Sequence, residues 1–238
     1  MESSELLTPS NRPESSDKVR SMFDSIAKRY DFLNSLLSCG THKIWEKKLV
    51  NSLPAHLNGE CLDLCTGTGA LIPHLRRRFK RVIGVDISPG MLAIAKSRFG
   101  GCADVELVEG NAQHLDFSDA SFDAVTVAYG VRNWPDFRLG LQEVCRVLKP
   151  GRSLAILEFG QPSRGIWASC FGFYSHHIIP ALGGLISGER APYEYLPKTA
   201  SAFPCGDPFI EVLRGCGFSS ATAKPLFGGV AFIYVATR

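Results

Sequence analysis

The chain has 238 residues and a net charge of +3, with 21% charged side chains. That balance is too weak to mark a polynucleotide as the main partner. Its 45% hydrophobic fraction is ordinary for a soluble globular protein with a sizeable core, and the length suits one large α/β domain. The eight cysteines contain no Cys-x-x-Cys pair, which suggests reduced, mostly buried thiols in a cytosolic protein and no disulfide frame. No His/Cys cluster has metal-ligand spacing, so no metal is expected.

Residues 1–16, rich in Ser, Glu and Pro, are expected to be a disordered tail, and nothing in the first twenty residues reads as a secretory signal. Apolar residues at helical spacing (Val19, Met22, Phe23, Ile26, Tyr30, then Ile44, Trp45, Leu49, Val50) predict a helical cap over 17–58. A strand–helix alternation follows: strand 61–65, helix 70–79, strand 82–87, helix 91–99, strand 105–109, strand 122–129, helix 137–148 and strand 154–159. Such alternation implies a doubly wound, mostly parallel sheet. Lys149-Pro-Gly151 punctuates the last crossover as a turn. Residues 160–208, with aromatics, glycines and prolines but little rhythm, read as an inserted lid. Within them 166–186 is apolar yet broken by His176, His177 and Pro180, short of a bilayer span. A helix at 208–216 and β-rich runs at 219–227 and 230–237 close a single domain spanning 17–238.

The chemistry starts at Glu60-Cys-Leu-Asp-Leu-Cys-Thr-Gly-Thr-Gly69, a buried strand opening into a glycine turn, followed by Val82-Ile-Gly-Val-Asp86. Gly67 and Gly69 lack Cβ atoms, so the backbone there can turn tightly and approach a ligand. Asp86, at the end of the next strand, can accept both hydroxyls of a ribose in the crevice where open α/β sheets bind nucleotides. Ile72 stands where the third glycine of a dinucleotide fingerprint belongs, which argues against NAD. Asp63-x-x-x-Gly67-x-Gly69 instead resembles the first motif of class I S-adenosylmethionine-dependent methyltransferases. Their Rossmann-like doubly wound sheet ends in an antiparallel hairpin.

Two longer stretches are more specific. The run from Tyr30 and Asp31 through Asn34, Ser38 and His42 to Trp45 resembles the N-terminal signature of the C-methyltransferases of menaquinone and ubiquinone biosynthesis. The run from Arg146 through Lys149-Pro-Gly151 to Leu157-Glu158-Phe resembles their second signature, with Arg152 replacing a glycine and Gly160 a serine. Asn111-Ala112 and Gly130-Val-Arg132-Asn133 also match family motifs. The resemblance covers residues 17–238. It implies S-adenosylmethionine held by Thr68, Asp86, Asn111 and Ala112, beside Gly67 and Gly69. Ala128 stands where some members place a cofactor-binding serine, and Ala70 where Asp is common.

The implied reaction transfers methyl to a ring carbon of demethylmenaquinol, giving menaquinol. The equivalent methylation of a polyprenyl methoxy-benzoquinol, or an unrelated small-molecule methylation, is the alternative. A quinol carbon is a poor nucleophile until a neighbouring hydroxyl loses its proton, so the site needs a general base. Arg132, Asn133 and Tyr30 are the candidate catalytic residues. Arg132 could equally pair with an acid, and Tyr30 and His42 could be parts of the cap. His177 is a candidate only as a lid residue. A nucleic-acid methyltransferase is disfavoured, because the Asn/Asp-Pro-Pro-aromatic motif of exocyclic-amine methylation is missing. A lipid-soluble quinol implies a cytoplasmic enzyme making peripheral contact at the inner face of a membrane. The basic run 76–81 could serve anionic lipids or be a solvated helix face.

Overall fold

The computed structural model describes residues 15–54, 56–162, 165–187 and 191–238. Seven strands form one mixed sheet in the order β3-β2-β1-β4-β5-β7-β6. They are β1 (His56–Leu64), β2 (Phe79–Asp86), β3 (Val105–Glu109), β4 (Phe122–Ala128), β5 (Leu148–Phe159), β6 (Ser220–Leu226) and β7 (Ala231–Thr237). The first five run parallel, while β7 is antiparallel to both β5 and β6. The chain order reverses beside β1, which opens a crevice at the carboxyl ends of β1 and β4.

Both faces of the sheet are covered, which explains why the central strands read as nearly continuous apolar runs. Successive residues of β1 point to opposite faces. Leu62 and Leu64 join one core with Val125, Val127 and Ile156 against α5 (Phe137–Val147) and α9 (Asp207–Gly215). Cys61 joins the other, where Trp45, Leu49 and Val50 of α2 (Thr41–Ser52) meet Val82, Ala124 and Leu157. In α5 the apolar residues Leu141, Val144 and Val147 fall on one face. Asp136 caps its start by accepting from the backbone N–H groups of Arg138 and Leu139 at 3.0 and 3.1 Å.

Two expected elements differ. The helix expected over 70–79 is a single turn, α3 (Ile72–Leu75), because β2 already begins at Phe79 and leaves no room for a longer crossover. The basic run 76–81 is therefore no helix face. Arg76 grips Asp104 (2.6 and 2.7 Å), Arg78 bonds the carbonyls of Val50 and Leu53, and Arg81 pairs with Glu106 at 2.6 Å. The last crossover strand begins at Leu148 and carries Lys149-Pro-Gly151 inside it, six residues earlier than expected. Nor are the thiols mostly buried: all eight are free, but only Cys61 and Cys216 are buried, and Cys39 and Cys170 are exposed.

The expected cap and lid are helical. α1 (Ser16–Leu37) and α2 precede the sheet, and α6 (Gly165–Phe173), α7 (Ile179–Ser187) and α8 (Ala191–Ala202) follow β5. A π turn at Tyr174–Ile178 joins α6 to α7 just before Pro180, whose ring would crowd the carbonyl four residues back in a regular helix. Ser16, expected in the tail, lies in α1; residues 1–14, the rest of that expected tail apart from Ser15, lie outside the described residues, as does the His176 side chain. Among the described residues no helix is long and apolar enough to cross a membrane.

Candidate active site

The carboxyl ends of β1, β2 and β4 surround a cavity walled by Leu64, Val85, Ile87, Ala112 and Trp134. Its roof is α1, through Ser16, Val19, Phe23 and Tyr30. Gly67 has φ +57 and Gly69 φ +85, conformations that favour glycine, and a Cβ at Gly69 would lie 2.6 Å from the Phe99 ring. The turn they make aims the Gly67 N–H at Asp86 Oδ2 (2.8 Å), while Asp86 Oδ1 accepts from the Ser88 N–H (2.9 Å). Each carboxylate oxygen thus keeps a lone pair for a ligand hydroxyl. Burial pushes the Asp86 carboxyl above its ordinary range, and the backbone N–H groups of Ser88, Gly67 and Ile87 oppose that rise.

Behind the turn, Asp63 is fully buried at the centre of the sheet. Its register partner Thr126 donates to Oδ1 at 2.6 Å and Thr66 donates to Oδ2 at 2.7 Å. Burial raises its pKa to about 6, opposed by those two hydroxyls. Asp63 is therefore a brace for the turn, tying two strands and the loop together.

Asn111, Ala112, Gly67 and Asp86, and with them the catalytic candidate Asn133, line the roofed cavity. Asn111 Oδ1 accepts from the Gln113 N–H at 3.0 Å and shapes the loop after β3. Thr68 does not reach that cavity. It lines a second cavity and donates its hydroxyl to Asp31 Oδ1 at 2.7 Å, holding α1 to the glycine turn. Gly69 serves packing.

Tyr129 follows β4 with φ +57, a strained conformation for a side-chain-bearing residue. It turns the Tyr129 carbonyl so that both Arg132 (2.7 Å) and the Asn133 amide (3.1 Å) donate to it. Arg132 is buried behind the cavity wall. Its guanidinium is ion-paired with the buried Glu158 and lies 5.0 Å above the Phe159 ring. Three buried polar atoms along these walls have no partner among the described residues: Asn133 Oδ1, Gln113 Oε1 and the Tyr129 hydroxyl.

The second cavity, of about 480 Å³, meets the roofed one at Tyr30, Cys65, Gly67, Ala128 and Tyr129. Its far wall is α2, which contributes His42, Lys43 and Glu46. Glu46 was not among the residues singled out from sequence. The signal was there: positions 46, 49, 50 and 53 form one buried helical stripe, and an acid occupies the first of them. Burial, assisted by Asp31 and Asp63, lifts the Glu46 carboxyl to about 7. A third cavity, apolar, lies under the lid between Phe159, Phe171, Ile179 and Pro197.

A model of the ubiE/COQ5 methyltransferase family matches residues 12–238. This chain belongs to that family. A demethylmenaquinone methyltransferase of Deinococcus radiodurans is 39% identical over 231 residues, covering 93% of this chain and 96% of that protein. A ubiquinone/menaquinone biosynthesis C-methyltransferase of Bdellovibrio bacteriovorus is 35% identical over 233 residues, covering 96% and 99%. Among solved structures, a SAM-dependent methyltransferase from Thermotoga maritima superposes with a TM-score of 0.66 at 18% identity, covering 92% of this chain and 98% of that one. The class I methyltransferase fold read from the glycine turn is the fold observed.

Proposed function

We propose that this family member transfers a methyl group from S-adenosylmethionine to a ring carbon of demethylmenaquinol, giving menaquinol. The observation that carries the reading is the pair of joined cavities at the carboxyl end of the sheet. One has the chemistry of a nucleoside site, and the other has room for a bicyclic quinol. Relatives named for the same reaction support the substrate class.

The roofed cavity fits the cofactor. Asp86 offers two acceptors to ribose hydroxyls, the apolar walls suit an adenine face, and the leftover acceptors of Asn133 and Gln113 suit N–H donors of the cofactor such as the adenine amino group. Bound there, the cofactor supplies an electrophilic methyl on a sulfonium. The protein's part is to position the acceptor carbon, exclude water and remove a proton. α1 excludes water by roofing the cavity, and its Tyr30 faces both chambers. Asn133 lines the nucleoside side, and the pairing of Arg132 with Glu158 makes it a positioning residue that fixes the strained Tyr129. The apolar cavity under the lid suits the start of an isoprenoid tail. Exposed Phe173 and Leu185 on the lid helices, and exposed Phe32 and Leu36 one turn apart on α1, are apolar side chains suited to peripheral contact with a membrane.

The test is purified protein with methyl-labelled S-adenosylmethionine and chemically reduced demethylmenaquinone in detergent. Label is expected in menaquinone and is expected to be lost in Asp86→Ala. Tight cofactor binding without transfer to this quinol or to a methoxy-benzoquinol would refute the substrate assignment. Transfer only to the benzoquinol would shift it to the ubiquinone series.

A further inference from the structure

We infer that Glu46 is the general base of this reaction, taking the hydroxyl proton of a quinol seated in the second cavity. The inference rests on the quinol reading above and names the residue that makes the ring carbon nucleophilic.

The argument is one of elimination on the cavity wall. Three carboxylates line that chamber: Asp31 on α1, Glu46 on α2 and Asp63 on β1. Asp31 is committed, accepting from the Thr68 hydroxyl and pairing with Arg98 at 2.6 Å. Asp63 is committed to Thr66 and Thr126 on both oxygens. The Glu46 carboxylate has neither a hydrogen bond nor an ion pair to any described residue, although the side chain is only 8% exposed. A buried acid without a protein donor is costly, and a ligand hydroxyl in the cavity would be its partner. The chamber's phenols cannot serve, because burial holds both Tyr30 and Tyr129 above the ordinary tyrosine range and so neutral. Tyr129 and Tyr30 provide aromatic walls at the junction with the cofactor chamber.

The charged groups around Glu46 have opposing effects. Burial raises its pKa most, Asp31 and Asp63 raise it further, and Lys43, one turn earlier on α2, lowers it. The result, about 7, is where a general base works best near neutral pH. His42 shares the helix face, but its Nδ1 is held by the Ser38 hydroxyl at 2.6 Å. Burial and Lys43 lower its pKa, and His74, on the same cavity wall, is lowered by burial, Arg77 and Lys47, so these two imidazoles are the competing bases.

The balance is simple. The hydroxyl proton passes to a Glu46 carboxylate oxygen, and the O–H pair enters the ring. The adjacent ring carbon uses a ring pair to form the bond to methyl, whose former bonding pair remains on sulfur. The hydrogen on that ring carbon then leaves as a proton, its pair restores the aromatic ring, and Glu46 returns its proton to the oxygen. One proton is released per methyl transferred.

The test compares the full-length protein with Glu46→Gln, Glu46→Asp and His42→Asn, using reduced demethylmenaquinone as above. Glu46→Gln is expected to lower kcat by about 10²–10⁴-fold. It should remove the acidic limb of the pH profile near 7 while leaving cofactor affinity unchanged by calorimetry. Glu46→Asp should keep that limb at an intermediate rate. A readout without turnover is calorimetric binding of a soluble naphthohydroquinone under argon at pH 6, in buffers of different ionisation heat. The parent should release a fraction of a proton and the Gln variant none. A Gln variant within about threefold of the parent with its acidic limb intact, or a limb that vanishes in His42→Asn instead, overturns the assignment. If the parent itself transfers no label, the quinol reading has failed, a distinct result.

Discussion

Neutralising Glu46 should stabilise the protein at alkaline pH while disabling it. The structure lifts this carboxyl from 4.5 to about 7, chiefly by burial. At about 1.4 kcal/mol per pH unit, that rise means that ionising the folded protein costs about 3 kcal/mol more than ionising the unfolded chain. Between pH 4.5 and 7 the folded state binds more protons than the unfolded one, so stability falls as pH rises through that window. Below it the loss is absent; above it the loss is complete. Glu46→Gln keeps the shape and removes the ionisation. The two proteins should therefore melt together near pH 4, and the variant should melt about 6 °C higher at pH 8, taking about 2 °C per kcal/mol at this size. Asp63, whose pKa of about 6 adds a falling limb of its own, is common to both proteins, so only its coupling to Glu46 enters the difference. Scanning calorimetry from pH 4 to 8 checks this. A melting difference that does not change with pH would refute the reasoning, because packing alone would then explain it.

Two further outcomes follow from buried charge. Arg132→Met should destabilise the fold by about 3–5 kcal/mol in urea unfolding, since it strands Glu158 without its cation; Arg132→Met with Glu158→Leu should recover much of that loss. Asp86→Asn should weaken S-adenosylmethionine binding by about 10–100-fold in calorimetry, because a neutral amide cannot accept from both the Gly67 and Ser88 N–H groups and the ligand.

Much of the site was legible because it is written in backbone geometry. A glycine turn with positive φ leaves a local trace, and so does an acid ending a β-run, as at Gly67 and Asp86. Residues whose roles depend on partners far along the chain left none. Arg132 carries no mark that Glu158, from a different strand, takes up its charge. Thr68 carries none of its bond to Asp31. The helix expected over 70–79 failed for a related reason: local pattern favoured it, but the register of β2 against β1 claimed Phe79 for the sheet. Glu46 is the instructive case. Its place on an apolar stripe could be read from spacing, but its meaning required the cavity on the other side.

α1 covers one chamber with its first turns and walls the other with Tyr30, Asp31 and Asn34. What fastens it to the body is largely carboxylate chemistry. Asp24 accepts from the Ser88 hydroxyl (2.5 Å) and the Gly90 N–H (2.8 Å), Asp31 holds Thr68 and Arg98, and Arg20 reaches Glu109 at 3.2 Å. The helix that roofs the nucleoside chamber is the one that shapes the acceptor chamber. A helix shared in this way makes the two sites a single latch: the acceptor wall is complete only when the nucleoside roof is shut. Because two of the fastenings, Asp31–Arg98 and Arg20–Glu109, are exposed ion pairs, the rate at which the latch lifts for spent cofactor to leave should rise with salt.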